Sequence, residues 1–253
     1  MKIAAQLYTV HDFLGTKKDM EMTFKKVKEM GYDYIQLSGA GYIDDEKADF
    51  INELIKIYGL KICVTHMSYE QLNDELESLI KYHKMWNCQY IGIGAMPEQY
   101  RNKENINEFI EWANKIGKKV SDEGLTFTYH NHRFEFEKVD GKTFMEIMAE
   151  GFNDSVQILL DTYWVQSGGA DPVSWIDKLK GKVDVVHFKD YGIKDNQEYF
   201  AEIGSGNFDW YKIIEACNRA GVKYAAIERD SGEIEAFESL AISRNYLKEV
   251  HGL

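Results

Sequence analysis

Leu125-Thr126-Phe127-Thr128-Tyr129-His130 is the stretch on which the fold turns. It is rich in β-branched and aromatic side chains and it alternates. Leu125, Phe127 and Tyr129 therefore fall on one face of a strand, and Thr126, Thr128 and His130 on the other. A helical stretch, Ile106–Glu123, precedes it, and Gly124 stands between the two as a helix stop. The same rhythm repeats in both directions along the chain. Short apolar runs occur at Ile3–Tyr8, Tyr34–Leu37, Lys61–Thr65, Tyr90–Ile93, Val156–Asp161, Val183–Phe188 and Tyr224–Glu228, each followed by a longer stretch of helical periodicity. Gly31, Gly59 and Gly221 close Met20–Met30, Phe50–Tyr58 and Trp210–Ala220 in the same way.

Eight strand–helix units in 253 residues give about 32 residues each, near the ~31 of a typical (β/α)8 barrel. A doubly wound sheet would place a Gly-rich phosphate turn after the first strand, where Tyr8-Thr9-Val10-His11-Asp12 stands instead. The reading is an α/β protein, one (β/α)8 TIM barrel domain over residues 1–253, with no linker and only Pro97 and Pro172 as prolines. At 44% hydrophobic and 28% charged residues the chain is that of a folded globular protein. A net charge of −12 repels phosphate backbones and anionic headgroups, so neither nucleic acid nor a membrane surface is an expected partner. No run nears the ~18 apolar residues of a membrane span, and Met1–Gln6 leads into a strand, so a cytoplasmic location is expected. Cys63, Cys88 and Cys217 are odd in number, far apart and set in apolar surroundings, which predicts reduced core thiols.

Parity singles out the polar residues at the strand ends. Gln157, Leu159 and Asp161 share a face, as do Val183, Val185 and His187, and Tyr224, Ala226 and Glu228. Four consecutive strands thus each end in one inward-facing residue able to bind a metal: His130, Asp161, His187 and Glu228. Barrel enzymes carry their chemistry at that C-terminal rim. Two imidazoles and two carboxylates suit one divalent cation, Mn²⁺, Co²⁺, Zn²⁺ or Mg²⁺. His132 shares the parity of His130 and competes with it for the position.

Tyr129-His130-Asn131-His132, Leu159-Leu160-Asp161, Val186-His187-Phe188-Lys189-Asp190, Ile203-Gly204-Ser205-Gly206-Asn207-Phe208-Asp209 and Ile227-Glu228, with Gln6-Leu7-Tyr8-Thr9 and Thr65-His66, form an ordered set. It resembles the sugar phosphate isomerase/epimerase family with the xylose isomerase-like TIM barrel, over nearly the whole chain. The resemblance implies one divalent metal held by Glu, Asp, His and Glu, which polarises a ketone or aldehyde while side chains move a proton on the adjacent carbon. Asp161, His187 and Glu228 match that pattern, and His130 stands where its first Glu would be. A His-Asn-His branch of the superfamily includes enzymes resembling 3-keto-glycoside lyases and the metal-binding subunits of C-glycoside-cleaving enzymes. The departure weighs against a simple two-glutamate ketose epimerisation.

The expected function is a divalent-metal-dependent sugar isomerase or epimerase acting through an enediolate, with Glu228 and His130 or His132 as the proton-transfer groups. The alternatives are a metal-dependent lyase or hydrolase on 3-keto-glycosides and a non-catalytic sugar-binding subunit. An endonuclease IV-like phosphodiesterase would need more metal ligands and a basic surface. Gln6, Tyr8, Gln36, His66, Glu135, Trp164 and Lys189 are the candidate substrate contacts, and Phe134, Phe136 and Phe188 offer further aromatic faces. Gly204-Ser205-Gly206 has the look of a phosphate cradle, but no Lys or Arg follows closely, and Asp209 is placed to cap the next helix. The expected partner is a carbohydrate, and a homo-oligomer or a small partner subunit is compatible with the family.

Overall fold

The computed structural model describes residues 1–253. Eight parallel strands close into a barrel: β1 (Lys2–Gln6), β2 (Tyr34–Leu37), β3 (Lys61–Met67), β4 (Tyr90–Ile93), β5 (Thr126–His130), β8 (Val156–Asp161), β9 (Val185–Phe188) and β12 (Tyr224–Ile227). They pair in that order, and β12 returns to β1. Two short antiparallel pairs are appended: β6 (Lys138–Val139) with β7 (Lys142–Thr143), and β10 (Asp190–Lys194) with β11 (Gln197–Ala201). The helices are α1 (Lys17–Glu29), α2 (Asp45–Tyr58), α3 (Tyr69–Asp74), α4 (Leu76–Trp86), α5 (Ile106–Asp122), α6 (Phe144–Gly151), α7 (Thr162–Ser167), α8 (Pro172–Lys178), α9 (Trp210–Ala220) and α10 (Ala236–His251). None is long and apolar enough to cross a membrane.

The alternation read from the sequence sorts the strands' side chains into two cores. Phe127 and Tyr129, with Val186, Phe188 and Ile227, join the core shared with the helices. Ala4, Val64, Tyr90, Leu159, Val185 and Ala226 form a second, smaller cluster of the opposite parity. Each of the last three lies two residues before a candidate ligand, so this layer supports Asp161, His187 and Glu228 from below. Register keeps the ends level: Asp161 pairs with His187, and Ala226 with His187 on the other side.

Helix ends follow the local chemistry. Asp209 accepts from the Lys212 N–H and starts α9, which ends on left-handed Gly221; Asp44 and left-handed Gly59 bracket α2 likewise. Several details depart from the sequence reading, among them that β12 ends at Ile227, one residue before Glu228. β1 ends at Gln6, because a 3₁₀ turn over Leu7–Phe13 takes Tyr8 out of the strand. Helix after β8 is split in two, since Gly168 and Gly169 stop α7 and Asp171 with Pro172 starts α8. The β10–β11 hairpin was not expected; its two-residue turn, Asp195-Asn196, has positive φ at both positions, as the hairpin twist requires. All three cysteines are free and buried, and burial pushes the Cys88 and Cys217 thiols up to about 12.

Candidate metal centre

His130, Asp161, His187 and Glu228 come together as the parity argument requires: one ligand atom from each lies within 4.8 Å of the others, and all four residues are buried. His130 Nε2 and His187 Nδ1 are each 3.4 Å from Asp161 Oδ2, and His187 Nδ1 is 2.8 Å from Glu228 Oε2. Bonds of about 2.1 Å to a shared cation would put neighbouring donors about 3.0–3.4 Å apart, so the spacing suits one ion. His187 Nδ1, aimed between two carboxylates, makes no well-aligned hydrogen bond with either and is left as an orphaned buried atom.

The ligand atoms are selected by the bonds of the atoms beside them. His130 Nδ1 donates to the Gly94 carbonyl at 2.8 Å, leaving the Nε2 lone pair for a cation. His187 does the reverse: Nε2 donates to Gln36 Oε1 at 2.8 Å, and Nδ1 is the free atom. Asp161 Oδ1 accepts from the Trp164 N–H at the start of α7, while Oδ2 faces the histidines. Its own N–H is held by Asn131 Oδ1 at 3.0 Å. Orientation is thus supplied by the protein.

Lys189 closes the charge pattern. Its buried ammonium is 2.7 Å from Asp230 Oδ1, 3.5 Å from Glu228 Oε2 and 3.9 Å from Asp161 Oδ2, and it lies 4.7 Å from the Trp164 and Phe200 ring centres. Burial opposes ionisation of Asp161 and Glu228, but Lys189 and the histidines outweigh it; Asp161 sits at about 2 and Glu228 well below the usual carboxylate range. Burial likewise disfavours protonated His187, yet Glu228 and Asp161 raise it to about 9.

A cavity of about 620 Å³ opens above these groups. Its wall includes Tyr8, His66, His130, His132, Trp164, Lys189 and Glu228 among the residues predicted from the sequence, together with Asp230, which the sequence reading missed although it shares the parity of Glu228. His132 lies edge-on to His130, with ring centres 4.8 Å apart, and 5.4 Å from Trp164; burial lowers it to about 3, so it is neutral, and its Nδ1 has no partner. Gln6, Gln36 and Glu135 do not reach the cavity. Gln6 Oε1 accepts from the Tyr8 N–H, and Gln36 bridges His66 and His187. Glu135 lies behind the wall on Tyr129 OH and the His132 N–H, where burial pushes its carboxyl up to about 7. Phe188 and Phe136 are core residues against Trp210 and Trp175, and Phe134 stacks on Arg101.

Comparison with known proteins agrees with this geometry. Residues 24–249 match the family described as xylose isomerase-like TIM barrel. An inosose dehydratase of Clostridium beijerinckii is 22% identical over 228 residues, which cover 81% of this chain and 68% of that protein. Among solved structures, a sugar phosphate isomerase/epimerase of Parabacteroides distasonis superposes with a TM-score of 0.81 at 22% identity, covering 98% of each chain. A xylose isomerase-like TIM barrel protein of Mycobacterium smegmatis in complex with magnesium gives 0.74 at 15% identity, over 98% of this chain and 96% of that one. A closed eight-stranded barrel with a buried His, Asp, His and Glu cluster at its C-terminal rim, matched over residues 24–249, makes this chain a member of the xylose isomerase-like TIM barrel family.

Proposed function

We propose that this chain is a divalent-metal-dependent enzyme that removes the proton α to the carbonyl of a sugar or keto-sugar, with isomerisation or epimerisation as the outcome. The observation that carries the reading is the convergence of four buried ligand atoms within 4.8 Å at a cavity of about 620 Å³. A Mn²⁺, Co²⁺, Zn²⁺ or Mg²⁺ ion held by His130, Asp161, His187 and Glu228 would supply Lewis acidity to the carbonyl oxygen. Glu228, a carboxylate at the cavity wall, is the group to accept the α-proton. His132, neutral and with an unpartnered Nδ1, is the group for the other face of the substrate. Tyr8 and Trp164 give ring faces, and Lys189 a hydrogen-bond donor, to a polyhydroxylated ligand.

A lyase outcome is the second reading. The cluster holds His130 in place of a second glutamate opposite Glu228, and the Clostridium relatives are named dehydratases. The same carbanion would expel a β-substituent, and the Lys189–Asp230 pair lies in the wall to protonate it. The cavity has room for a ring with an aglycone, so 3-keto-glycosides belong among the trial substrates. Metal-loaded protein is incubated in D₂O with ketoses, inososes and 3-keto-glycosides, and α-C–H exchange is followed by NMR. Exchange that disappears in Glu228→Gln supports the reading. Bound sugar without exchange in the metal-loaded wild type overturns it and favours a sugar-binding subunit.

A further inference from the structure

We infer that the substrate carries no phosphate: the enolisation site proposed above, on whose reading this rests, is built for a neutral polyhydroxylated ketone. In (β/α)8 barrels a substrate phosphate is commonly held by the loops after the seventh and eighth strands, on backbone N–H groups and a helix N-terminus. Those strands here are β9 and β12. The turn Gly204-Ser205-Gly206-Asn207-Phe208 lies between them and does gather N–H donors around an anion, and that anion is the protein's own.

The buried Asp190 carboxylate accepts from the N–H groups of Tyr191, Gly204, Gly206 and Phe208 at 2.8, 2.9, 3.2 and 3.4 Å, and from Trp210 Nε1 at 2.7 Å. A Cβ at Gly206 would collide with this carboxylate, so the glycine is needed for the turn to close on Asp190. A nest of N–H groups that would otherwise bind phosphate is filled from within.

The cations near the cavity are spent in the same way. Lys189 is shared among Asp230, Glu228 and Asp161. Arg229, which follows β12, is paired with Glu202 at 2.5 Å and with the Ile234 carbonyl. On the opposite rim the Lys47 ammonium donates to the Ala40 and Tyr42 carbonyls, and Arg101 is bonded to Met96 O and stacked on Phe134. Three carboxylates against one ammonium leave two negative charges at the cavity floor, the charge of one divalent cation. With that ion bound the floor is neutral, and a phosphate dianion there would find the nearby ammonium and guanidinium groups already held by other partners.

The test is a ³¹P NMR titration of the Mg²⁺-loaded protein with D-fructose 6-phosphate, D-ribulose 5-phosphate and inorganic phosphate. The expected result is no binding tighter than a Kd of about 1 mM for any of the three, and tighter binding of any one overturns the inference. In Asp190→Ala, checked for folding by circular dichroism, inorganic phosphate is expected to raise the melting temperature while leaving the wild type unmoved. An equal rise in both proteins, or none in a folded Asp190→Ala, overturns the assignment of the turn. The titration does not depend on turnover. Phosphate exclusion with no α-proton exchange on any neutral ketose would sink the enolisation reading and leave only the exclusion of phosphate standing; exchange confined to the phosphorylated member of a pair would overturn this inference and keep the enolisation reading.

Discussion

Gln36 orients His187, a proposed ligand, from outside the ion site, and Gln36→Leu is the substitution that isolates this role. Gln36 Oε1 accepts the His187 Nε2–H at 2.8 Å, so the Nδ1 lone pair faces Asp161 and Glu228. Leucine keeps the volume and removes the acceptor. The buried N–H is then unsatisfied, at a cost of about 1–3 kcal/mol, or the ring changes tautomer and turns a proton toward the cation site. At about 1.4 kcal/mol per factor of ten, this predicts a roughly 5- to 150-fold loss of metal affinity, overlapping the 10- to 100-fold known for outer-shell partners of metal-bound histidines. The assay is competition with a fluorescent chelator for Zn²⁺ or Mn²⁺, with ¹⁵N NMR of the imidazoles to report the tautomer. Gln36→Glu restores an acceptor and is expected to recover most of the affinity. A folded Gln36→Leu that binds metal like the wild type, with His187 still protonated on Nε2, would refute the reasoning.

Asp161→Ala and His187→Ala each remove a ligand and are expected to abolish stoichiometric metal binding, read by elemental analysis after gel filtration. In chelator-treated protein the folded-state pKa of His187, about 9, exceeds its ordinary 6.5. Its contribution to stability is therefore complete below pH 6.5 and is lost as pH rises through 9, so the melting temperature of the ion-free protein should fall across that window. Metal-loaded protein, whose His187 carries no proton on Nδ1, should not show that fall. His132→Gln should keep metal content and slow α-proton exchange, whereas His130→Gln should lower metal affinity. Gly117→Ala would set a Cβ 2.7–2.8 Å from Ser155 and Val156, and a loss of about 1–3 kcal/mol is expected in urea unfolding.

The barrel was legible because its strands are short, apolar and evenly spaced, and because glycine ends the helices before them. Parity then picked out Asp161, His187 and Glu228, and His130 with His132 as its competitor, since a strand offers only two faces. What it could not give was the neighbour each side chain meets. Gly94 and Gln36 lie 36 and 151 residues from the histidines they orient, and nothing in the local pattern links them. Gln36 therefore reads as a substrate contact until His66 and His187 are seen on either side of it. Glu135 misleads for another reason: the 3₁₀ turn over Phe134–Phe136 points it back toward Tyr129. Asp230 was within reach of the parity argument, but it lies past the end of β12, where alternation is no longer assured.

The double anchoring of the histidines bears on when a metal would enter the proposed site. Gly94 and Gln36 orient the rings, α7 orients Asp161, and Lys189 offsets the carboxylates, so the protein's own contacts shape the proposed site. Metallation of such a preformed site would be a late step, unlike a zinc finger in which the ion drives folding. Occupancy follows from which ion the surroundings supply and from the affinity series that favours zinc over manganese at nitrogen and oxygen sites. On the proposed reading, the ion carried by freshly purified protein would report the growth medium, and the ion that serves catalysis would be identified by stripping and reloading.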